Sequence, residues 1–198
     1  MAPPPARAHR ALRGARTALT VLLPLSACAR AAAPRAGAGA EHKGPTPAVI
    51  GAAEGERRFL RGGAAPLLIK VDPTTTGSRR MVLGSSDLPP GDAIPVHRHP
   101  REDEIIIVTR GTGRVQLGGA TYTASAGATV FIPQGTCIAL ENVGPDTLTN
   151  IFVFSAPGFE QVLRAVSSPA GAPPKPVSPE ERARAFHAGH AEAGPTDC

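Results

Sequence analysis

Two histidines one residue apart, His97 and His99, and a glutamate shortly after them, Glu104, are the side chains here whose types and spacing best suit chemistry. They fall within GDAIPVHRHPREDEIIIVTRG, residues 91–111. Residues two apart on a strand share a face, so both imidazoles point the same way, with Val96 and Arg98 on the other side. Pro100 breaks that strand. The next begins near Asp103, with Glu104, Ile106 and Val108 on one face and Ile105 and Ile107 on the other. If the two strands are neighbours, one carboxylate sits opposite a pair of imidazoles. Imidazole nitrogen and carboxylate oxygen together suit borderline divalent metals such as iron, manganese, nickel or zinc. The plainer alternative is a surface histidine pair beside an acidic turn. Glu102 has the parity of Glu104 and is the second candidate carboxylate. Arg98 and Arg101 flank the ligands and are expected outside the pocket or on its rim.

The elements around these residues read as strands. The runs RRFLRGG, PLLIKVD, SRRMVLGSSDL, AIPVHRH, DEIIIVTR, GRVQLGG, TYTAS, ATVFIP, CIALEN and TLTNIFVFS follow one another from residue 56. Turn signals separate many of them, including Pro89-Pro90-Gly91, Gly111-Thr112-Gly113, Gly118-Gly119 and Gly144-Pro145-Asp146. Many short strands at such spacing predict an all-β antiparallel sandwich or barrel. Two short helices follow. One starts near residue 158, in PGFEQVLRAV. The other lies in KPVSPEERARAFHAGH, where Ser178 and Glu181 form a capping-box pattern. The Pro-rich link between them predicts a loosely attached tail over residues 168–198. His187 and His190 share a face of that second helix and are expected to be solvated helix surface.

Composition agrees with this class. Tryptophan is absent, aromatics make up 4%, and there are 22 glycines and 22 prolines, so the core must be aliphatic and the chain rich in turns. The net charge of +5 invites a nucleic-acid reading. However, Arg7, Arg10, Arg13 and Arg16 carry most of that excess, and they lie in an acid-free segment ahead of residue 28. No basic run with an aromatic platform is left to track a phosphate backbone, so nucleic acid is not expected as a partner.

That first segment, residues 1–28, reads as an address. A basic start leads into the apolar run Ala18 to Leu25, which is too short to span a bilayer and fits a secretory signal. It ends in Leu25-Ser26-Ala27-Cys28, which resembles the lipobox of bacterial lipoproteins. The resemblance implies lipidation of Cys28 and a lipid-anchored protein of the cell envelope. A plain signal cut near Ala31-Ala32-Ala33, giving a secreted protein, and a misassigned start are the alternatives. Residues 29–54 are Ala, Gly and Pro with scattered charge, including His42, and are expected to be a flexible tether. Cys137 and Cys198 are expected to be free thiols.

The spacing of Gly91, His97, His99, Glu104 and Gly111 resembles the first motif of the cupin superfamily. The second motif is matched by Gly127, Pro133-x-Gly135 and Asn142. The resemblance covers roughly residues 56–160. It implies a single cupin antiparallel β-barrel (jelly roll) at 55–167, often dimeric, with a metal held inside by three histidines and a glutamate. This chain departs from the pattern at Ile138, where the family has its fourth ligand, a histidine. The implied set is therefore His97, His99 and Glu104. A two-histidine, one-carboxylate site with open positions is the arrangement associated with non-haem iron oxygenases. A barrel with decayed metal affinity is the other outcome. Cys137, beside Ile138, would face away from the metal on a regular strand; a bulge would turn it inward as a substitute ligand.

Three functions follow. One is a metal-dependent oxygenase or isomerase acting on a small molecule. Another is a module that captures a small ligand without turnover. The third is a structural barrel whose motif is a relic. The fold does not choose among them. No nucleophile–base pair, phosphate loop or nucleotide motif is visible in the sequence, so no catalytic residue is assigned.

Overall fold

The structure is a computed structural model that describes residues 44–60, 65–195 and 197–198. The expected signal segment, the lipidation of Cys28, and His9 and His42 lie outside the described residues. In chain order the elements are β1 (Glu56–Leu60), β2 (Ala65–Val71), β3 (Val82–Leu88), β4 (Ala93–Arg98), β5 (Glu104–Arg110), β6 (Thr112–Leu117), β7 (Ala120–Ser125), β8 (Thr129–Ile132), β9 (Ile138–Asn142), β10 (Leu148–Phe154), α1 (Phe159–Ala165), β11 (Ser168–Pro169), α2 (Pro179–Ala188) and β12 (Glu192–Ala193). The strands form two antiparallel sheets. One is ordered β11-β1-β2-β3-β10-β5-β8 and the other β12-β4-β9-β6-β7. This is the antiparallel arrangement predicted from the strand pattern, in the jelly-roll form that the family resemblance implies.

Alternation along the strands explains the packing. On β5 and β10 every second residue is buried: Glu104, Ile106 and Val108 on one, Leu148, Asn150, Phe152 and Phe154 on the other. Of these, Ile106, Val108 and Leu148 meet Val115, Ile138 and Leu140 of the second sheet in one aliphatic core. Motif residues hold the corners. Gly111 has φ +81°, and a Cβ there would lie 2.8 Å from the Leu148 Cα, so a side chain is excluded twice over. The Asn142 amide donates to the Leu88 and Asp146 carbonyls, both at 2.8 Å, and its oxygen accepts from the Gly144 N–H. The motif asparagine therefore ties a turn.

A second cluster caps one end of the sandwich. Phe152 and Phe154 pack against Phe159 and Val162 of α1, with Phe186 of α2 alongside. Phe152 lies directly across the ladder from Gly84, and a Cβ on Gly84 would fall 2.3 Å from the Phe152 ring. The absent side chain makes room for that ring. Arg164 of α1 reaches back to β2, where its guanidinium lies 2.7 Å from the fully buried Asp72 carboxylate.

Two expectations are corrected here. The tail is not loosely attached. β11 pairs with β1, β12 pairs with β4, and α2 packs on α1 through Phe159 and Phe186. Its capping box is present as expected, with Ser178 and Glu181 exchanging hydrogen bonds. Nor are the cysteines free: Cys137 and Cys198 form a disulfide with their Cα atoms 5.8 Å apart. The sequence placed Cys137 on a strand and Cys198 on a mobile end, whereas β12 brings that end back to β4 beside β9. The end of the 29–54 segment is also held, since the Lys70 ammonium donates to the Gly51 and Ala52 carbonyls. Among the described residues, no helix is long and apolar enough to cross a membrane.

Candidate metal centre

His97 occupies an inward position near the end of β4, and His99 follows just beyond it. The chain bends at Pro100, and the Gly135 N–H donates to the His99 carbonyl at 2.7 Å, fixing the bend. Gly135 has φ +76°, as its place in that turn requires. Glu104 opens β5. The two strands are not neighbours as the sequence reading supposed. β4 belongs to one sheet and β5 to the other, so the carboxylate faces the imidazoles across the sandwich.

The three side chains nonetheless converge. One ligand atom from each of His97, His99 and Glu104 lies within 4.8 Å of the others, and all three residues are buried. His99 Nε2 is 3.5 Å from a Glu104 oxygen. The Pro95 carbonyl lies 2.8 Å from His97 Nδ1, which makes that nitrogen the N–H donor and leaves Nε2 with its lone pair. Glu102 is buried behind His99, with an oxygen 3.3 Å from Nδ1. Glu102 thus lies on the far side of the ring from Glu104, a placement that parity alone did not give. Phe159 packs edge-on to His99 with ring centroids 4.4 Å apart, and Phe154 lies 4.9 Å away, so aromatic rings enclose the histidines.

Several buried polar atoms here have no hydrogen-bond partner: both nitrogens of His99, one oxygen of Glu102 and one of Glu104. Orphaned buried polar atoms are costly and rare, and a cation between His99 Nε2 and the Glu104 oxygen would satisfy those two at once. Burial pushes the Glu104 carboxyl up to about 7, with Glu102 adding and His99 opposing. Burial, together with neighbouring His99, pushes His97 down to about 4. His97 is thus a neutral imidazole at neutral pH, the form that binds metal. The donor set and its surroundings fit a divalent ion.

Ile138 lies directly across the β4–β9 ladder from His97 and is almost fully buried. The missing fourth ligand is thus replaced by an apolar wall. Cys137 cannot substitute, because its sulfur is committed to Cys198. Arg98 faces outward and pairs with Glu192 and Asp197, as its parity predicts. Arg101 lies outside the centre, against exposed His190. The expected His187–His190 pair does not form a shared face: α2 ends at Ala188, and His190 lies beyond it with φ +58°.

Beside the centre is a cavity of about 710 Å³. Its walls include Leu67, Ile106, Leu140, Phe152 and Phe154 from the sheets, and His97 and Glu104 reach it from the centre. Helices α1 and α2 close one side. The sequence signal for this wall was the C-terminal helical pattern, but nothing in that pattern said where it docks.

A family profile described as the cupin domain matches residues 84–154, which contain both histidines, Glu104 and Asn142. The polyketide synthase CurC of Streptomyces cyaneus is 30% identical over 109 residues, covering 55% of this chain and 70% of that protein. The tetracenomycin polyketide synthase protein TcmJ of Streptomyces glaucescens is 28% identical over 120 residues, covering 58% and 79%. Among solved structures, a predicted oxalate decarboxylase of Thermotoga maritima is 21% identical, covering 55% of this chain and 99% of that one, with a TM-score of 0.49. The chain belongs to the cupin domain family.

Proposed function

We propose that the barrel holds one divalent metal between His97, His99 and Glu104 and acts on a small, largely apolar molecule seated in the adjacent cavity, in oxygenase- or isomerase-like chemistry. The observation that carries the reading is the convergence of His97, His99 and Glu104 on one small volume, with the buried His99 Nε2 and a Glu104 oxygen both lacking a hydrogen-bond partner. A bound divalent ion supplies Lewis acidity there, with coordination positions beyond the three protein donors. The chain's own residues do the rest. Pro95 and Glu102 fix the imidazoles, Phe154 and Phe159 keep bulk water from them, and Ile138 presents an apolar surface beside the donors. The names of CurC and TcmJ, both tied to polyketide synthases, support a hydrophobic organic molecule as the substrate class.

The test is titration with Fe(II), Mn(II), Ni(II) and Zn(II), followed by candidate substrates under oxygen. Wild type is expected to bind one ion per chain. His99→Ala is expected to lose it, and Ile138→His to bind more tightly. Equal binding by wild type and His99→Ala overturns the reading. The second reading, capture of a ligand without turnover, is favoured by Ile138 at the fourth-ligand place. It prevails if ligands bind the metal-loaded protein unchanged.

For location, we propose that the mature chain begins at a lipidated Cys28 and is anchored in the bacterial cell envelope, on the periplasmic or extracytoplasmic side; plain secretion is the alternative. The lipobox-like stretch supports this, as does the Cys137–Cys198 bridge, because disulfides persist in oxidising compartments. Mass spectrometry of membrane-extracted protein tests it, and an unmodified N-terminus at Ala2 or near Ala33 defeats it. A homodimer, which the family resemblance implies, has a surface available in the exposed pair Ile105 and Phe131, which face each other across β5 and β8. Sedimentation of wild type against Phe131→Glu distinguishes dimer from monomer.

A further inference from the structure

Arg182 is out of place for a helix that packs on a cupin barrel. It sits on α2 four residues before Phe186, so the two share a face, and both line the cavity. Its helical neighbours at three and four residues are Ser178, Pro179, Ala185 and Phe186, none of them acidic. Glu181, next to it in sequence, is engaged with the Ser178 N–H and Lys175. Among the described residues, no carboxylate pairs with Arg182. Arg182 is exposed and borders a cavity whose other walls are mostly aliphatic and aromatic.

The remaining charges of the lining do not neutralise it. Glu104 faces His99 in the metal centre, 3.5 Å away. Asp87 lies on the β3 parity opposite to buried Ser86, and its carboxylate accepts the Thr149 hydroxyl hydrogen bond. An apolar chamber bordered by an exposed guanidinium that no carboxylate of the described residues pairs with suits an amphiphilic anion, its charge at the solvent side and its body within. A planar fork of N–H donors suits a carboxylate better than any neutral group.

We propose that the cavity takes an apolar carboxylic acid in its anionic form, with its carboxylate on Arg182 and its hydrophobic body against Phe152 and Phe154. This rests on the reading of the cavity as a ligand site and names the chemical class of its occupant. Arg182 is then a specificity residue supplied by the C-terminal helix. A different role would leave the arginine stem merely covering apolar surface, with the guanidinium in water. The two roles differ in one measurable respect, discrimination by charge.

The probes are 2-naphthoate and 2-naphthamide, of nearly equal shape and different charge, titrated calorimetrically into the full chain. Wild type is expected to prefer the naphthoate by about tenfold or more, as a charge-assisted hydrogen bond implies. Arg182→Gln is expected to abolish that preference by weakening naphthoate binding alone. Arg182→Lys, which keeps the charge without the fork, is expected to retain part of it. The proposal is overturned if neither probe binds, if wild type shows no preference, if Arg182→Gln weakens both probes equally, or if the preference survives the substitution. The last result would place the carboxylate on the metal centre instead. The metal reading fails separately, through the His99→Ala titration, so either can fall while the other stands.

Discussion

Glu102 stands directly behind His99, its carboxylate 3.3 Å from the ring nitrogen that faces away from Glu104. Both residues are almost wholly buried. The arrangement gives His99 one carboxylate to orient it and another to share a ligand with. Glu102→Ala is expected to weaken metal binding by roughly 10–100-fold, the usual cost of removing such an orienting group. Titration of the variant checks this. Unchanged affinity would mean that Glu102 plays no part in positioning the ring.

Metal uptake is expected to depend on pH through Glu104. Its carboxyl, pushed up to about 7 by burial, must lose a proton to become a ligand. Affinity should therefore fall by about tenfold per pH unit below that value. In the metal-free protein, the stability contributed by Glu104 is full below its unfolded value of 4.5 and is lost as pH rises through about 7. His97 acts in the opposite sense: its contribution is present above 6.5 and lost as pH falls through about 4. The two slopes oppose each other over the shared window. Glu104→Gln should leave only the His97 slope, so that the variant loses stability on acidification from 6.5 to 4. Denaturant melts across that range measure it, and identical profiles for variant and wild type would refute the assignment.

The disulfide spans 61 residues and encloses β9, β10, β11, β12 and both helices. Constraint of an unfolded loop of that length is worth about 4 kcal/mol in the chain-entropy account. Cys137→Ser is expected to lower the unfolding free energy by about that amount, and a reductant to do the same to wild type. Coincident denaturation curves with and without reductant would show that the bridge adds nothing.

Arg164 secures α1 to the sheet through the fully buried Asp72. Arg164→Ala strands that carboxylate and is expected to destabilise by about 3–5 kcal/mol. The double variant Arg164→Met with Asp72→Asn removes both charges and should cost less than the single one. Equal losses would mean that the pair is not coupled.

Most of the barrel was legible because strand alternation and turn glycines are local properties. Residues 104–108 alternate inward and outward as read, and Ser178 caps its helix as its spacing with Glu181 requires. The candidate site was legible for the same reason, since the faces of His97, His99 and Glu104 follow from parity. What lies across from what was not legible. Parity cannot say that β4 and β5 belong to opposite sheets, that α2 docks on α1, or that Cys198 reaches Cys137. Those pairings join residues far apart in the chain, and no short window contains both partners. Glu102 fell between the two cases: its face was readable, but its division of labour with Glu104 depends on which side of the imidazole each occupies.

Gly84 has a consequence for anyone wishing to retune this protein. Because the Phe152 ring occupies the space that a methyl group at 84 would fill, the ring is held back from the cavity by an absence on the neighbouring strand. An alanine there would meet the Leu68 carbonyl of β2 as closely as the ring, at 2.3 Å, so the sheet itself would have to part to admit it. The place of the ring in the cavity wall is thus locked from behind, and a change of cavity size has to come from the residues that face the chamber.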